Sequence, residues 1–421
     1  MSSVASGTGA AAGGRFAADL SVAQSWLLAA IFFCIPIQVA PAYILSALLL
    51  AVWLVDGRLG TKLRALSGEP LVWVFAGYYV VLLASMLWTS DAEWGWRMVG
   101  RQNFFLLFAL YLSVARPEHF GRYASAFLLS IALCEMLAFY NWTQMHWMPD
   151  WPPGIRVDKG AQDTAPFVDR ILYTPTLAFA GYLAAHRVIF EARPPRERLM
   201  YALLLLATAT NLMISGGRAG AVGFLALLAL LALQRFAHRP VWALITASSL
   251  VVLVFVTGYH GNDYFRQRVD QAVAELQAPD SAADTAVGLR LVYAQNAWRV
   301  FAEHPWMGVG IGDYPNEYEQ VNAEYTPKWA PAWNPHNQYL YALTAAGLMG
   351  GASLAAVLLV PFLRRGPNDG RERLRRALPV LFVVICFSES YLLRSNTSLM
   401  YALFTAALWC GARVPARCNA S

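Results

Sequence analysis

Arg218 is the first residue whose type and surroundings suggest chemistry. It lies in SGGRAG, between two apolar runs, with Gly216, Gly217 and Gly220 around it. Small residues let a ligand approach the backbone closely, and the free amides at the start of the following helix favour an anion. An Arg beside such amides can bind a diphosphate. The alternative is an Arg that caps a hairpin and reaches lipid headgroups.

His336 and Arg290 are the next candidates. His336 lies in WNPHNQYLYALTAAG, immediately before an apolar run, and Pro335 and Asn337 on either side of it can fix the ring and its tautomer. Arg290 stands near the start of an amphipathic stretch. Taken alone, an Arg on such a helix is more often solvated than functional, and an isolated His is more often structural.

Ionisable residues inside or at the ends of apolar runs are costly, and they mark functional sites by default. Glu135 in CEMLAF, Glu389 in FSES and Arg394 in YLLRSN meet this condition. The sequence has no GxxxxGK[ST], HExxH, Asp-x-Asp or GxSxG motif, so ATP use, a metal–diphosphate clamp and a hydrolase elbow are unsupported. We therefore expect a reaction with neither metal nor cofactor.

The composition indicates which elements position these residues. Of 421 residues, 57% are hydrophobic and 14% charged, and the mean hydropathy is +0.42. A soluble chain of this length could not bury so much apolar surface, which excludes a soluble enzyme, a secreted module and a disordered protein. The net charge of +6 fits the cytoplasmic bias of membrane proteins, and no basic run suggests nucleic acid. The five Cys include no CxxC pair.

Apolar runs predict an all-α polytopic membrane protein with about twelve spans. The first 19 residues are expected to be a disordered cytoplasmic leader, residues 20–258 to carry spans 1–9, and residues 338–421 to carry spans 10–12 and a cytoplasmic tail. The predicted runs are 22–39, 42–56, 71–89, 98–115, 122–144, 168–190, 199–215, 219–235, 241–258, 338–363, 377–393 and 398–412.

The distribution of Lys and Arg predicts the orientation. With the N-terminus inside, every inner loop is basic and most of the 32 Lys and Arg lie on the inner side, so both termini are expected in the cytoplasm. The long segment 259–337 is then a periplasmic loop domain. Within it, residues 286–303 are predicted to form an amphipathic helix, because apolar residues recur there at three- and four-residue spacing.

Three pieces occur in order: SGGRAG, GLRLVYAQNAWRVFAEHPWMGVGIGDY and NPHNQYLYALTAAG. Together with the span pattern and the late outer loop, they resemble the O-antigen ligase superfamily, which includes related polymerases and protein O-oligosaccharyltransferases. The resemblance implies a glycosyltransferase-C-like helical fold in the bacterial inner membrane. It also implies transfer of a glycan from undecaprenyl diphosphate to an acceptor at the periplasmic face, without ATP or metal.

The resemblance further implies roles for individual residues. Family members use two Arg and one His, which match Arg218, Arg290 and His336, and an acidic residue near the penultimate span matches Glu389. The family usually has Ser immediately before the first Arg, where this chain has Gly217. Two Arg would stabilise the charge that develops on the diphosphate, and an imidazole would accept the proton of the acceptor hydroxyl. One base without a covalent intermediate predicts inversion.

The leading hypothesis is a ligase that joins O-antigen polysaccharide to lipid A–core, acting among membrane lipids. A polymerase, which would use a lipid-linked glycan as both donor and acceptor, and a protein O-oligosaccharyltransferase, which would accept Ser or Thr, are alternatives within the superfamily. A lipid-linked sugar transporter is the alternative from another class. A transporter should show repeat symmetry and charges along a central cavity, whereas the polar candidates here collect at the outer face.

Overall fold

The computed structural model describes residues 6–156, 163–261, 263–277 and 286–411, and within these ranges all regular structure is helical. Two short 3₁₀ helices, Ser85–Trp88 and Pro117–His119, accompany the α-helices. In chain order the α-helices are α1 (Ser6–Cys34), α2 (Val39–Val55), α3 (Leu59–Ser67), α4 (Pro70–Ala84), α5 (Ala92–Gly100), α6 (Asn103–Val114), α7 (Phe120–His146), α8 (Arg170–Ile189), α9 (Pro195–Ser215), α10 (Arg218–Arg235), α11 (Pro240–Gly261), α12 (Asp263–Gln277), α13 (Ala286–Glu303), α14 (Tyr314–Tyr325), α15 (Gln338–Leu363), α16 (Glu372–Ile385) and α17 (Ser395–Trp409).

Each of the twelve predicted apolar runs contains a helix, but fewer helices are long and apolar enough to cross a membrane by themselves. In the described ranges, six meet both conditions, or seven if α2 and α3, which are bent by 115°, form one span. The expected count of about twelve was too high by this measure, because several runs are broken or short. The run 98–115 is divided between α5 and α6, and α16 ends at Ile385 although its run continues to 393. The protein is an all-α polytopic membrane protein.

The expected disordered leader also needs correction. Helix α1 begins at Ser6, so the segment 1–19 is helical from that residue on, while residues 1–5 lie outside the described ranges. Alanine has the highest helix propensity of any residue type, so the Ala run 10–12 favours extension of α1 toward the N-terminus.

Helices α8 and α17 form the centre of the bundle. Every residue of α17 from Asn396 to Trp409 is buried, as is every residue of α8 from Tyr173 to Arg187. Their aromatic rings meet directly, since Phe179 contacts Phe404 edge to face at 4.8 Å between centroids. A helix enclosed by protein need not match the bilayer thickness, so α17 can be as short as 15 residues.

The segment between α11 and α15 contains α12, α13 and α14. Helix α13 spans 286–303, as the amphipathic pattern predicted. Two residues of its apolar stripe are fully buried: Ala297 packs with Tyr314 and Tyr318 of α14, and Val300 packs with Val309 and Val321. The stripe therefore docks α13 within the loop segment and toward the bundle.

The Gly-rich run GVGIG at 308–312 fixes this segment to the bundle. Gly308 has φ +69°, and a Cβ there would lie 2.4 Å from the carbonyl oxygen of Thr344. The Val309 amide donates to that same oxygen at 2.8 Å. Next to the run, the carboxylate of Asp313 accepts from the amides of Ser90 and Asp91, both at 2.7 Å. The glycines thus permit close backbone packing at the end of the bundle where His336 lies.

Candidate active site

His336 and Glu389 form a partly buried hydrogen-bonded pair. The Nδ1 atom of His336 lies 2.7 Å from Oε2 of Glu389, a side chain that is only 1% exposed, whereas the imidazole is 27% exposed. Because a carboxylate can only accept, Nδ1 carries the proton and Nε2 holds a lone pair. In the part of the chain that the structure describes, no hydrogen bond is formed by Nε2. The partly exposed ring therefore presents a basic nitrogen.

Glu389 is held in its charged form by its surroundings. Its Oε1 accepts from Nδ2 of Asn334 at 2.8 Å and from the amide of Ser390 at 3.0 Å, and Arg394 lies 3.5 Å from the same oxygen. Burial by itself would raise the pKa of Glu389. The hydrogen bonds from His336 and from the Ser390 amide and the positive charge of Arg394 outweigh it and lower that pKa to about 2. Glu389 lies in the turn between α16 and α17, not within a helix.

The backbone around His336 is set by local hydrogen bonds. His336 has φ +49°, a left-handed conformation that costs a non-glycine residue about 1–2 kcal/mol. Its amide donates to Oδ1 of Asn334 at 3.3 Å, and that oxygen also accepts from the Ser390 hydroxyl at 2.7 Å. Asn337 caps α15, because its Oδ1 accepts from the amides of Tyr339 and Leu340. Asn337 therefore positions the helix that follows His336.

Arg218 and Arg290 line one cavity of about 120 Å³. Arg218 is the first residue of α10, after the turn in which Gly216 ends α9 with φ +63°. The remaining lining comes from the first turns of α8, from Tyr391, and from Gly216, Gly217 and Ala219 beside Arg218. The two arginines are 72 residues apart in the chain, and they share this cavity because the start of α13 lies near the first turns of α8 and α10.

The cavity and the His336–Glu389 pair are joined by two tyrosines. Tyr293 lies three residues after Arg290, on the same side of α13, and its ring stacks on the imidazole of His336 at 5.7 Å between centroids. Tyr391 lines the cavity and lies two residues after Glu389. Tyr293 of α13 and Tyr391 of the turn before α17 thus link the cavity to the pair. They place Arg218 and Arg290 near His336 and Glu389.

The structure also defines the cavity wall and the contacts of two other candidates, Glu135 and Asn337. The cavity lining includes no described residue of the segment that joins α7 to α8, and the start of α8 supplies that wall. Glu135 lies elsewhere: it is buried in the bundle, where it accepts from Thr208 at 2.6 Å. Asn337 acts as a helix cap. Within residues 6–156, 163–261, 263–277 and 286–411, no group of three or more His, Cys, Asp and Glu could hold a metal ion.

Residues 202–355 match the protein-family model described as O-antigen ligase. This part of the chain is similar to the O-antigen ligase family, and the match supports the ligase and polymerase superfamily. No curated protein matches it. The matched segment contains Arg218, Arg290 and His336, so it covers both arginines of the cavity and the imidazole, while Glu389 lies beyond it.

The superfamily motif usually has Ser where this chain has Gly217, and the geometry gives a reason for the difference. A Cβ at Gly217 would lie 2.2 Å from the Thr174 hydroxyl oxygen, and one at Gly220 would lie 2.4 Å from the Thr174 backbone carbon. Thr174 is buried on α8, and its hydroxyl donates to the carbonyl of Arg170. The first turn of α10 therefore packs against α8 too closely for a side chain at position 217.

Sequence reasoning missed Tyr293, Asn334 and Tyr391. Asn334 was detectable, since it belongs to the same NPHN motif as His336, but its partner Glu389 is 55 residues away. Tyr293 follows Arg290 at helical spacing, and that signal was assigned to the apolar stripe. Nothing in the sequence indicates that its ring contacts His336.

Proposed function

We propose that this protein transfers O-antigen polysaccharide from undecaprenyl diphosphate to a sugar hydroxyl of lipid A–core at the periplasmic face of the bacterial inner membrane. The observation that supports this most directly is the arrangement of two arginines in one cavity beside a Glu-fixed imidazole. Similarity to the O-antigen ligase family over residues 202–355 supports the reaction class, a glycosyltransferase-like ligase or polymerase.

Arg218 and Arg290 bind the donor diphosphate in this proposal. As the bond between the anomeric carbon and the diphosphate oxygen breaks, its electron pair moves to the diphosphate and negative charge grows there. Two fixed guanidinium groups stabilise that charge more in the transition state than in the ground state, which lowers the barrier. Their charges take the place that a divalent cation has in other diphosphate sites.

His336 is the general base. The acceptor hydroxyl oxygen forms the new bond to the anomeric carbon from the face opposite the diphosphate, and its proton passes to Nε2 of His336. Glu389 is a positioning residue, which holds Nδ1 protonated and stabilises the imidazolium that forms. The released products are undecaprenyl diphosphate and the joined glycan, with the anomeric configuration inverted.

The test is a transfer assay with purified protein in detergent, undecaprenyl-diphosphate glycan and lipid A–core, without ATP and with EDTA. The expected result is a glycan ladder attached to the core. The His336→Ala protein is the matched control, since it lacks the proposed base. Elongation of the donor without attachment to the core would instead indicate a polymerase, and activity that requires Mg²⁺ or Mn²⁺ would contradict the arginine-only site. Labelled donor moved across vesicles without transfer would indicate a transporter.

A further inference from the structure

A second group of basic and aromatic side chains lies beside the His336–Glu389 pair. We call it the Trp/Arg cluster, and it consists of Trp94, Arg97, Arg101, Trp333 and Arg394. The guanidinium groups of Arg101 and Arg394 lie 5.3 and 5.2 Å from the ring of Trp333. Trp94 contacts Trp333 edge to face at 5.9 Å, and Arg97 lies 5.2 Å from the Trp94 ring.

The Trp/Arg cluster holds more positive than negative charge. Arg97 pairs with the exposed Glu93 at 3.1 Å, and Arg394 lies 3.5 Å from Glu389. Among the described residues, no carboxylate lies within 4.0 Å of the Arg101 guanidinium. Two guanidinium groups on one indole repel each other, and a bound anion would remove that cost. The indole rings are only partly buried, as is Arg394 at 26% exposure, so a ligand can reach them.

The Trp/Arg cluster touches the candidate active site at two points. Trp333 directly precedes Asn334, the residue that holds Oε1 of Glu389. Arg394 contacts that same oxygen. The hydroxyl of Ser395, at the start of α17, donates to the Arg101 carbonyl at 3.4 Å and ties the turn between α5 and α6 to this end of the bundle. The cluster thus approaches the pair from α5, α17 and Trp333, whereas Arg290 and Tyr293 approach it from α13.

We infer that the Trp/Arg cluster is the acceptor subsite and that it selects a saccharide carrying a phosphate near the accepting hydroxyl. Guanidinium groups bind such anions with paired hydrogen bonds, and an exposed indole face packs against a sugar ring. This inference rests on the proposed function and adds the class of acceptor to it. Donor and acceptor would occupy separate sets of arginines, with His336 between them.

Trp and Arg also anchor proteins at membrane interfaces, and this role is the competing outcome of the test. An anchor needs no particular contact with the catalytic pair. The observation that favours a ligand site is that one of the two guanidinium groups sharing the Trp333 indole also contacts Glu389.

The test compares acceptor kinetics of the wild type, Arg101→Gln and Arg101→Lys. Loss of one charge-assisted hydrogen bond predicts an acceptor KM about 10- to 100-fold higher for Arg101→Gln, with kcat and the donor KM nearly unchanged. The Lys variant should recover part of the loss because it keeps the charge. Arg299→Gln is the matched control: Arg299 lies over the Tyr325 ring at 4.3 Å, a similar contact away from the pair.

A second arm removes the anion from the ligand. Lipid A–core is treated with hydrofluoric acid to remove its phosphates. For the wild type, the acceptor KM of this dephosphorylated core should be about as high as the KM of intact core for Arg101→Gln. The wild type and Arg101→Gln should have similar KM values for the dephosphorylated core. Equal acceptor KM values for intact and dephosphorylated core would overturn the inference. So would an Arg101→Gln protein with a lower Tm and an unchanged acceptor KM, as expected of a membrane anchor.

A binding arm separates failure of this inference from failure of the proposed function. If the wild type transfers no glycan, binding of phosphorylated core oligosaccharide is measured directly through the fluorescence of the detergent-solubilised protein. Saturable binding to the wild type that is lost in Arg101→Gln would support an anionic saccharide site even then. Absence of binding to the wild type would overturn it.

Discussion

Replacing Glu389 with Gln removes one charge from the candidate active site with almost no change in shape. Oε1 accepts from Nδ2 of Asn334 and from the amide of Ser390, so the Gln carbonyl takes that place. The orientation of Asn334 is fixed, because its Oδ1 accepts from the backbone amide of His336. The Gln amide nitrogen then faces Nδ1 of His336 and donates to it. This forces the proton onto Nε2 and leaves the imidazole with no lone pair for the acceptor hydroxyl.

The same contacts set how strongly the folded protein favours the Glu389 carboxylate, and the tautomer change sets the expected loss of transfer rate. A pKa of Glu389 lowered from its ordinary 4.5 to about 2 corresponds to about 3 kcal/mol in favour of the carboxylate in the folded protein, since one pKa unit is about 1.36 kcal/mol. A lowered pKa means that this stabilisation is fully present above pH 4.5, is lost as the pH falls toward 2, and is intact throughout a neutral assay. The wrong tautomer removes general-base catalysis, which contributes about 10²–10⁴-fold in rate.

The assay is single-turnover transfer with saturating donor and acceptor, measured between pH 5 and pH 8. We expect Glu389→Gln to lose about 10²–10⁴-fold in rate, and the double variant with His336→Ala to lose no more than the more damaging single change, because the two residues act as a unit. Glu319→Gln, at an exposed carboxylate of α14, is the control. A rate near that of the wild type for Glu389→Gln, in a protein that is folded, would refute the positioning role and with it the assigned tautomer.

Three further predictions concern the base, the diphosphate cavity and the turn before α10. His336→Ala should lower the transfer rate about 10²–10⁴-fold while donor affinity, measured by equilibrium binding, stays close to that of the wild type; a large loss of donor affinity would contradict a base role. Arg218→Lys and Arg290→Lys should each keep only part of the donor affinity, because a lysine cannot form paired hydrogen bonds to a diphosphate, and full rescue by Lys would indicate simple charge attraction. Gly217→Ser should lower the Tm and the transfer rate together, because its Cβ would overlap Thr174, and the double change with Thr174→Ala should restore part of both.

The sequence by itself determined the class of the fold and supplied the candidate site residues. The length of the apolar runs located the helices, because a single segment in a membrane can satisfy all of its backbone hydrogen bonds internally only as a helix. Each of the twelve runs contains a helix. The helix 286–303 followed from its three- and four-residue spacing. Arg218, Arg290 and His336 were found from short motifs and a resemblance, because a motif keeps the residues that chemistry requires at fixed spacing.

Tertiary structure alone decided which of these residues share a site. The 2.7 Å contact between His336 and Glu389 joins residues 53 apart, and the cavity joins Arg218 to Arg290 across a gap that includes α11 and α12. It also decided that Asn337 caps a helix, that the GVGIG run serves packing, and that fewer helices than runs are long enough to span. Local sequence sets helix propensity and apolar faces, but the distance between two side chains depends on how separate helices pack. That packing is determined by the fit of many distant residues at once, and no short pattern encodes it.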